Sequence, residues 1–399
     1  MNFPTRVEPM LGCKLAGILK AVSGIENTVP IVHGPMGCAS GYRIIPLFAG
    51  KEPLVATTSL TEMDIIMGSE DRLHEAVMKA QTVYDPELIV VILTCATSLT
   101  SDVISSMTKG ISKEIGKPIF IIDGSGVVGD EIDGYMDFYS EFRKYEEKLV
   151  EDTSDQVLID LSGLSAADYN ANNDLLEICN LLSQGFDLEV ARTIFHKFKF
   201  PTKKMKYKEL KAGRLWLNDP SPCFAPIGIT GLNAWIQKFT DLTGVQVSNT
   251  YIRNLHEKQT LLNNVKGKFN NICIGIEAES WWAIGLANFL VNELGCTVFI
   301  SSDKGAVHYQ KKYGLIAKTV VDMANIELTQ FFIDHDVNVV FGSSYCKKDD
   351  WAWIPYWQPV WHAVDEQPSI FGLDGIERLL TILTHLEEWS DGRKTIHFK

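Results

Sequence analysis

The chain has 399 residues, too long for one ordinary core, so two or three domains are expected. Hydrophobic residues make up 46% and charged residues 22%, an ordinary globular balance, and the net charge of −13 argues against a nucleic-acid partner. No stretch reaches the roughly 18 apolar residues of a membrane span, and the opening MNFPTRVEPM lacks the apolar run of a secretory leader, so a cytoplasmic location is expected.

In chain order, apolar runs predict strands at residues 29–33, 88–93, 118–122, 157–161, 272–276, 297–300 and 337–341. Helical patterns between them include residues 71–81, 98–115 and 280–294, with an amphipathic terminal helix at 375–389. Strand and helix alternating at this spacing predict an α/β fold of parallel, doubly wound, Rossmann-like sheets. The charged stretch 144–156 (KYEEKLVEDTSDQ) and the polar helix and linker at 254–270 mark boundaries, giving three expected domains: 1–155, 156–265 and 266–399. The basic run Lys203-Lys204-Met205-Lys206 reads as a solvated loop.

Eight cysteines in a chain of this size and expected compartment do not read as a disulfide framework. Cys179, Cys273 and Cys296 lie inside apolar runs and read as small buried hydrophobes. Cys223, between prolines in PSPCFAPIG, also reads as structural. Cys13 (PMLGCKLAG), Cys38 (VHGPMGCASG) and Cys95 (VVILTCATS) differ. Each sits at a strand or helix end, where an open α/β sheet binds its ligands. Clustered thiolates suit an iron–sulfur centre, and backbone N–H groups freed by Gly34, Gly37 and Gly41 could approach its sulfurs. A zinc site is the competing reading, weaker because no C-x-x-C pair or His cluster accompanies these residues. Three thiolates where a cubane takes four predict that a partner chain completes the site. No G-x-x-x-x-G-K-[ST] phosphate loop occurs.

The segments GCKLAGILKAVSGIENTVPIVHGPMGCASGYR, TTSLTEMDIIMGSEDRLHEAV and YDPELIVVILTC stand in this order, with Cys13 and Cys38 25 positions apart and Cys38 and Cys95 57 apart. Together they resemble the nitrogenase component-1 family, which includes the dark-operative protochlorophyllide reductase and the nickel-tetrapyrrole reductase of methanogens. The β-type subunit is the nearer pattern. APIGITGLNAWIQKFTDLTG, ICIGIEAESWWAIGLANFLVNELGC, VNVVFGSSYCKK and FGLDGIERLL extend the resemblance beyond the first domain.

The resemblance implies three Rossmann-like domains. It implies a cluster of the eight-iron P-cluster type, or a four-iron one, on Cys13, Cys38 and Cys95 with Gly37 beside it, shared with an α-type or identical partner chain. Ser125 in DGSGVVG resembles a serine that can join the P-cluster on oxidation, with an ordinary turn serine as the plain alternative. His362 in PVWHAVDEQPS lies near where the family places a cofactor-side residue, an ordinary hydrogen-bonded histidine being the alternative. His33 reads as orienting its loop. The implied activity is electron relay from an ATP-dependent Fe-protein partner to a catalytic cofactor. The alternatives are a homodimeric tetrapyrrole reductase, the β-like partner of a methylthio-alkane reductase, and a non-catalytic scaffold for cofactor assembly.

Overall fold

A computed structural model describes residues 12–45, 52, 54–151, 158–168, 170–188, 192–193, 198–204, 206–211, 225–346, 348, 350–355 and 368–386. Cys223 and His362 lie outside the described residues. The chain divides into two compact units, the first built on Leu11–Asp168 and Ala191–Tyr207 and the second on Tyr169–Val190 and Lys208–Lys399. Among the described residues no helix is long and apolar enough to cross a membrane.

The first unit runs α1 (Lys14–Ser23), β1 (Thr28–His33), α2 (Met36–Ser40), β2 (Ala56–Thr57), α3 (Glu62–Met67), α4 (Glu70–Tyr84), β3 (Leu88–Leu93), α5 (Ser101–Ile115), β4 (Ile119–Asp123) and α6 (Glu131–Glu146). Its strands form one parallel sheet in the order β2-β1-β3-β4. All six residues of β3, LIVVIL, are buried, as a central strand covered on both faces requires. Pro30 inside β1 is tolerated for a local reason. The Val32 carbonyl accepts from Thr58, so Val32 and, two residues back, Pro30 turn their backbone polar groups toward β2. β2 starts only opposite Ile31, and the missing N–H of Pro30 breaks no ladder bond.

Leu73, Val77 and Ala80 of α4 and Ile104 and Ile111 of α5 pack on Val29, Ile31, Ile89 and Val91. On the other side α1 and α6 cross backbone to backbone. A Cβ on Gly17 would stand 1.8 Å from the Glu131 carbonyl oxygen, and one on Gly134 2.0 Å from that of Lys14. α6 is opened by Asp130, whose carboxylate accepts from Ile132 and Asp133 in a capping box. The unit also contains β5 (Leu158–Ser162), which pairs in parallel with β6 (Arg192–Thr193).

Chain order continues with α7 (Ala171–Phe186), β7 (Tyr207–Lys211), α8 (Gly228–Thr243), α9 (Asn249–Val265), β8 (Cys273–Glu277), α10 (Ser280–Asn288), β9 (Thr297–Ser302), α11 (Gly305–Tyr313), β10 (Lys318–Val321), α12 (Asn325–Ile333), β11 (Val339–Phe341), β12 (Ala352–Ile354) and α13 (Gly372–Thr384). β8 to β12 form a parallel sheet in the order β10-β9-β8-β11-β12, which reverses direction between β8 and β11 as a doubly wound sheet does. The expected α/β architecture of parallel, helix-covered sheets is therefore present.

Each predicted strand lies within two residues of an observed one at either end. Three helices differ in detail. Residues 98–115 divide into a 3-10 turn, Ser98–Thr100, and α5; residues 280–294 divide into α10 and a π-helical turn, Phe289–Leu294; the terminal helix begins at Gly372 rather than at 375.

Candidate functional site

Three loops leave the carboxyl ends of β1, β3 and β4 and are tied together by hydrogen bonds. The His33 carbonyl accepts from Thr97 Oγ1 at 2.7 Å and from Thr94 Oγ1 at 3.4 Å. Gly34 N–H donates to Thr58 Oγ1 at 3.1 Å. Gly34 must be glycine, because a Cβ there would meet Thr94 Oγ1 at 2.3 Å. Ser98 Oγ donates to Asp123 Oδ2 at 2.7 Å, and Asp123 Oδ1 accepts from Ser125 N–H at 2.8 Å. His33 itself is fully buried, with Nε2 3.0 Å from Ser69 Oγ, so it anchors its loop as the sequence suggested. Burial lowers its pKa to about 4, and Glu70 opposes that shift.

These loops carry two of the thiols. Cys38 is half-buried on the short helix α2, and Cys95 is exposed just past β3. Cys13 comes from elsewhere, as the N-cap residue of α1, with extended backbone bridged to Asp130. Gly126 lets the β4 loop close on it, since a Cβ at Gly126 would fall 2.9 Å from Cys13 Cβ. The three side chains share one neighbourhood. The Cys38 thiol is pushed up by burial and then by the negative charge of Cys95 and Cys13 beside it.

Cys95 goes the other way. Burial pushes it up, but hydrogen bonds from the Ser125 side chain and from the N–H groups of Gly126, Val127 and Cys95 itself outweigh that and lower it. Past Cys95 the chain turns into the 3-10 turn Ser98–Thr100 and then α5. Most of the amides that stabilise the Cys95 sulfur come from the loop after β4. Gly37 faces open space where a Cβ would sit.

Sequence reasoning missed Gly126, Tyr42 and Glu131. Tyr42 Oη is 3.2 Å from Cys13 Sγ. Glu131, buried, accepts from Gly12 N–H at 3.0 Å and from Lys20 Nζ at 2.7 Å. The partners are 119 and 111 positions apart, beyond the reach of any local pattern.

Among the described residues no three His, Cys, Asp or Glu side chains close on one point as ligands of a single ion must. Sulfurs sharing one zinc each lie only about 2.3 Å from it. Thiols drawn from three segments, one of them fed by backbone amides, are the kind of donor set that an iron–sulfur cluster takes.

The second sheet offers a different site at its reversal point. Glu277 at the end of β8 accepts from Ser343 N–H at 2.8 Å and lies 3.1 Å from Cys346 Sγ; burial raises both groups. The N–H groups that open α10 are already taken. Ser280 donates to Asp303, while Trp281 and Trp282 donate to Glu279. The start of α10 therefore offers a phosphate two carboxylates in place of free amides. Cys296 is buried as expected, while Cys179 and Cys273 are half-buried, the Cys273 thiol donating to the His335 carbonyl.

Comparison with known proteins agrees with this fold. The chain is 30% identical over 125 residues to the nitrogenase iron-molybdenum cofactor biosynthesis protein NifE of Nostoc sp., which covers 30% of this chain and 26% of that protein. It is 30% identical over 145 residues to the nitrogenase molybdenum-iron protein beta chain of Clostridium pasteurianum, 35% of this chain and 32% of that one. It is 27% identical over 182 residues to the nitrogenase molybdenum-iron protein alpha chain of Methanothermobacter thermautotrophicus, 41% and 38%. The matched stretches thus span about a quarter to two fifths of these relatives. The solved structure titled "Nitrogenase Cp1 at pH 6.5" shares the fold with a TM-score of 0.77 at 17% identity, covering 100% of this chain and 97% of that one. The profile of the nitrogenase component 1 type oxidoreductases matches residues 13–213, and the chain belongs to that family.

Proposed function

We propose that this chain is one subunit of a nitrogenase-like reductase. In this reading Cys13, Cys38 and Cys95 hold an iron–sulfur cluster of the P-cluster or four-iron type at the interface with a second component-1 chain, α-type or identical. An ATP-dependent Fe-protein partner supplies the electrons, and a catalytic cofactor or substrate receives them. The observation that carries the reading is the convergence of thiols from separate segments of the first unit: Gly126 packs against Cys13 and its N–H bonds to Cys95, while Cys38 lies near enough to both to feel their charge. When bound, the cluster supplies one-electron storage. Ser125 and the Gly126 and Val127 amides would steady the Cys95 sulfur, and open space beside Gly37 would admit the cluster edge.

Apolar side chains favour an interface. Met36, Met63, Ile66, Met67, Leu99, Val103, Val127 and Val128 are all exposed, on segments that follow the carboxyl ends of β1, β2, β3 and β4. Exposed apolar residues concentrated beside a site suit coverage by another chain. We assign His362 a cofactor-side role on the resemblance alone, and keep the division 1–155, 156–265 and 266–399 as the proposed domain plan of a cytoplasmic protein.

A second reading is a scaffold for cofactor assembly, favoured by the 30% identity to NifE. The test is anaerobic purification from the native cell with iron counted per chain, for wild type and for Cys13→Ala, Cys38→Ala, Cys95→Ala and Cys296→Ala. Loss of iron in the first three and not in the last is expected. Full iron in all four defeats the ligand assignment. Transfer of the cluster to an acceptor protein, without substrate turnover, selects the scaffold.

A further inference from the structure

Tyr42 lies four residues beyond Cys38, on the turn that follows α2. Its hydroxyl stands 3.2 Å from Cys13 Sγ, so the segment bearing one thiol reaches across to the sulfur of another. The same hydroxyl lies beside Gly12, whose N–H is held by the buried Glu131 carboxylate. Either atom of this pair could donate, but a sulfur that ligates iron carries no proton, so toward a cluster-bound Cys13 the phenol O–H is the donor. A tyrosine that merely filled space would not need its hydroxyl against a thiol.

We infer that Tyr42 is a positioning residue for Cys13: its O–H, donated to Cys13 Sγ, aims that sulfur and favours the reduced state of the cluster it binds. The inference rests on the reading of Cys13 as a cluster ligand. Adding one electron to an iron–sulfur cluster increases the negative charge on its sulfurs, and a hydrogen bond to a ligating sulfur stabilises that charge. The electron comes from an external reductant. No proton moves, and Tyr42 remains a phenol on both sides of the step. The contact also ties the Cys38 segment to Cys13, so that two ligands are held in register by a single side chain.

The test uses the purified complex, wild type and Tyr42→Phe, in an anaerobic titration with dithionite and redox dyes followed by EPR. Iron per chain and thermal midpoint are measured on the same samples. The expected result is an unchanged iron count and a midpoint potential shifted to more negative values. Tyr84→Phe, at the exposed end of α4, should leave the potential where it is in wild type. Full iron with an unchanged potential in Tyr42→Phe overturns the inference. So does loss of iron from that variant, which makes the contact structural. Equal iron in wild type and Cys13→Ala removes the ligand reading itself, and the inference with it.

Discussion

Glu131 engages both backbone polar atoms of Gly12: its Oε2 accepts from the Gly12 N–H at 3.0 Å, and its own N–H donates to the Gly12 carbonyl at 3.0 Å. Its other carboxylate oxygen holds the buried Lys20 ammonium, which also faces Asp168 at 3.6 Å. The peptide immediately before Cys13 is thus clamped by the first residue of α6. Glu131→Ala leaves Lys20 with only the more distant Asp168 and Gly12 without its acceptor. A stability loss of about 3 kcal/mol is expected in denaturant unfolding. A loss below about 1 kcal/mol would show that water or Asp168 replaces the carboxylate.

The α1–α6 crossing depends on two glycines. Gly17→Ala and Gly134→Ala each place a methyl group inside a backbone carbonyl, which cannot swing aside as a side-chain end can. Each should cost about 3 kcal/mol. Gly37→Ala meets nothing within 4 Å and should leave the thermal midpoint of the iron-free chain unchanged. Equal effects at the three positions would mean that the helices separate easily.

His33 sets a pH dependence. Its pKa falls to about 4 in the folded chain, chiefly through burial, against about 6.5 when unfolded. Between those values the unfolded state binds the extra proton, so stability rises with pH through this window and is lost as pH falls from 6.5 toward 4. The loss should approach about 3 kcal/mol. His33→Asn should flatten that part of the profile, measured by urea midpoints across pH 4 to 7. A variant with the wild-type slope would assign it to other groups.

Thiol reactivity should follow exposure and the hydrogen bonds around each sulfur. In iron-free folded protein, iodoacetamide should modify Cys95 first, because it is exposed and its thiol is lowered by Ser125 and the Gly126 and Val127 amides despite partial burial. Cys296 and Cys346 are buried and raised, Cys296 to about 12, and should react only on unfolding. Peptide mapping after timed labelling reads the order, and early labelling of Cys346 would contradict the packing around Glu277.

Much of the first sheet was readable from residues alone, because β1 and β3 are apolar runs ended by glycine and threonine loops. β2 and β10 were not. Ala56–Thr57 is a two-residue strand, and Lys318–Val321 is a partly exposed edge, so neither leaves an apolar signature. The three thiols could be singled out because each borders a strand or helix end. Their environment could not. The amides that lower Cys95 belong to residues 126 and 127, about thirty positions on, and the clamp behind Cys13 comes from residue 131. Such pairings come from the winding of the sheet and have no local trace.

The reach from Gly12 to Glu131 has a consequence for the order of events during synthesis. Cys13 is synthesised well before its partners: its clamp, its glycine neighbour at 126 and its β-bridge to Asp130 are all made more than a hundred residues later. Until α6 has emerged and crossed α1, the first cysteine has no fixed place. A half-made chain can display Cys13 and Cys38, yet it cannot hold them in relation to Cys95. The grouping of the three thiols is therefore a product of folding rather than a seed for it.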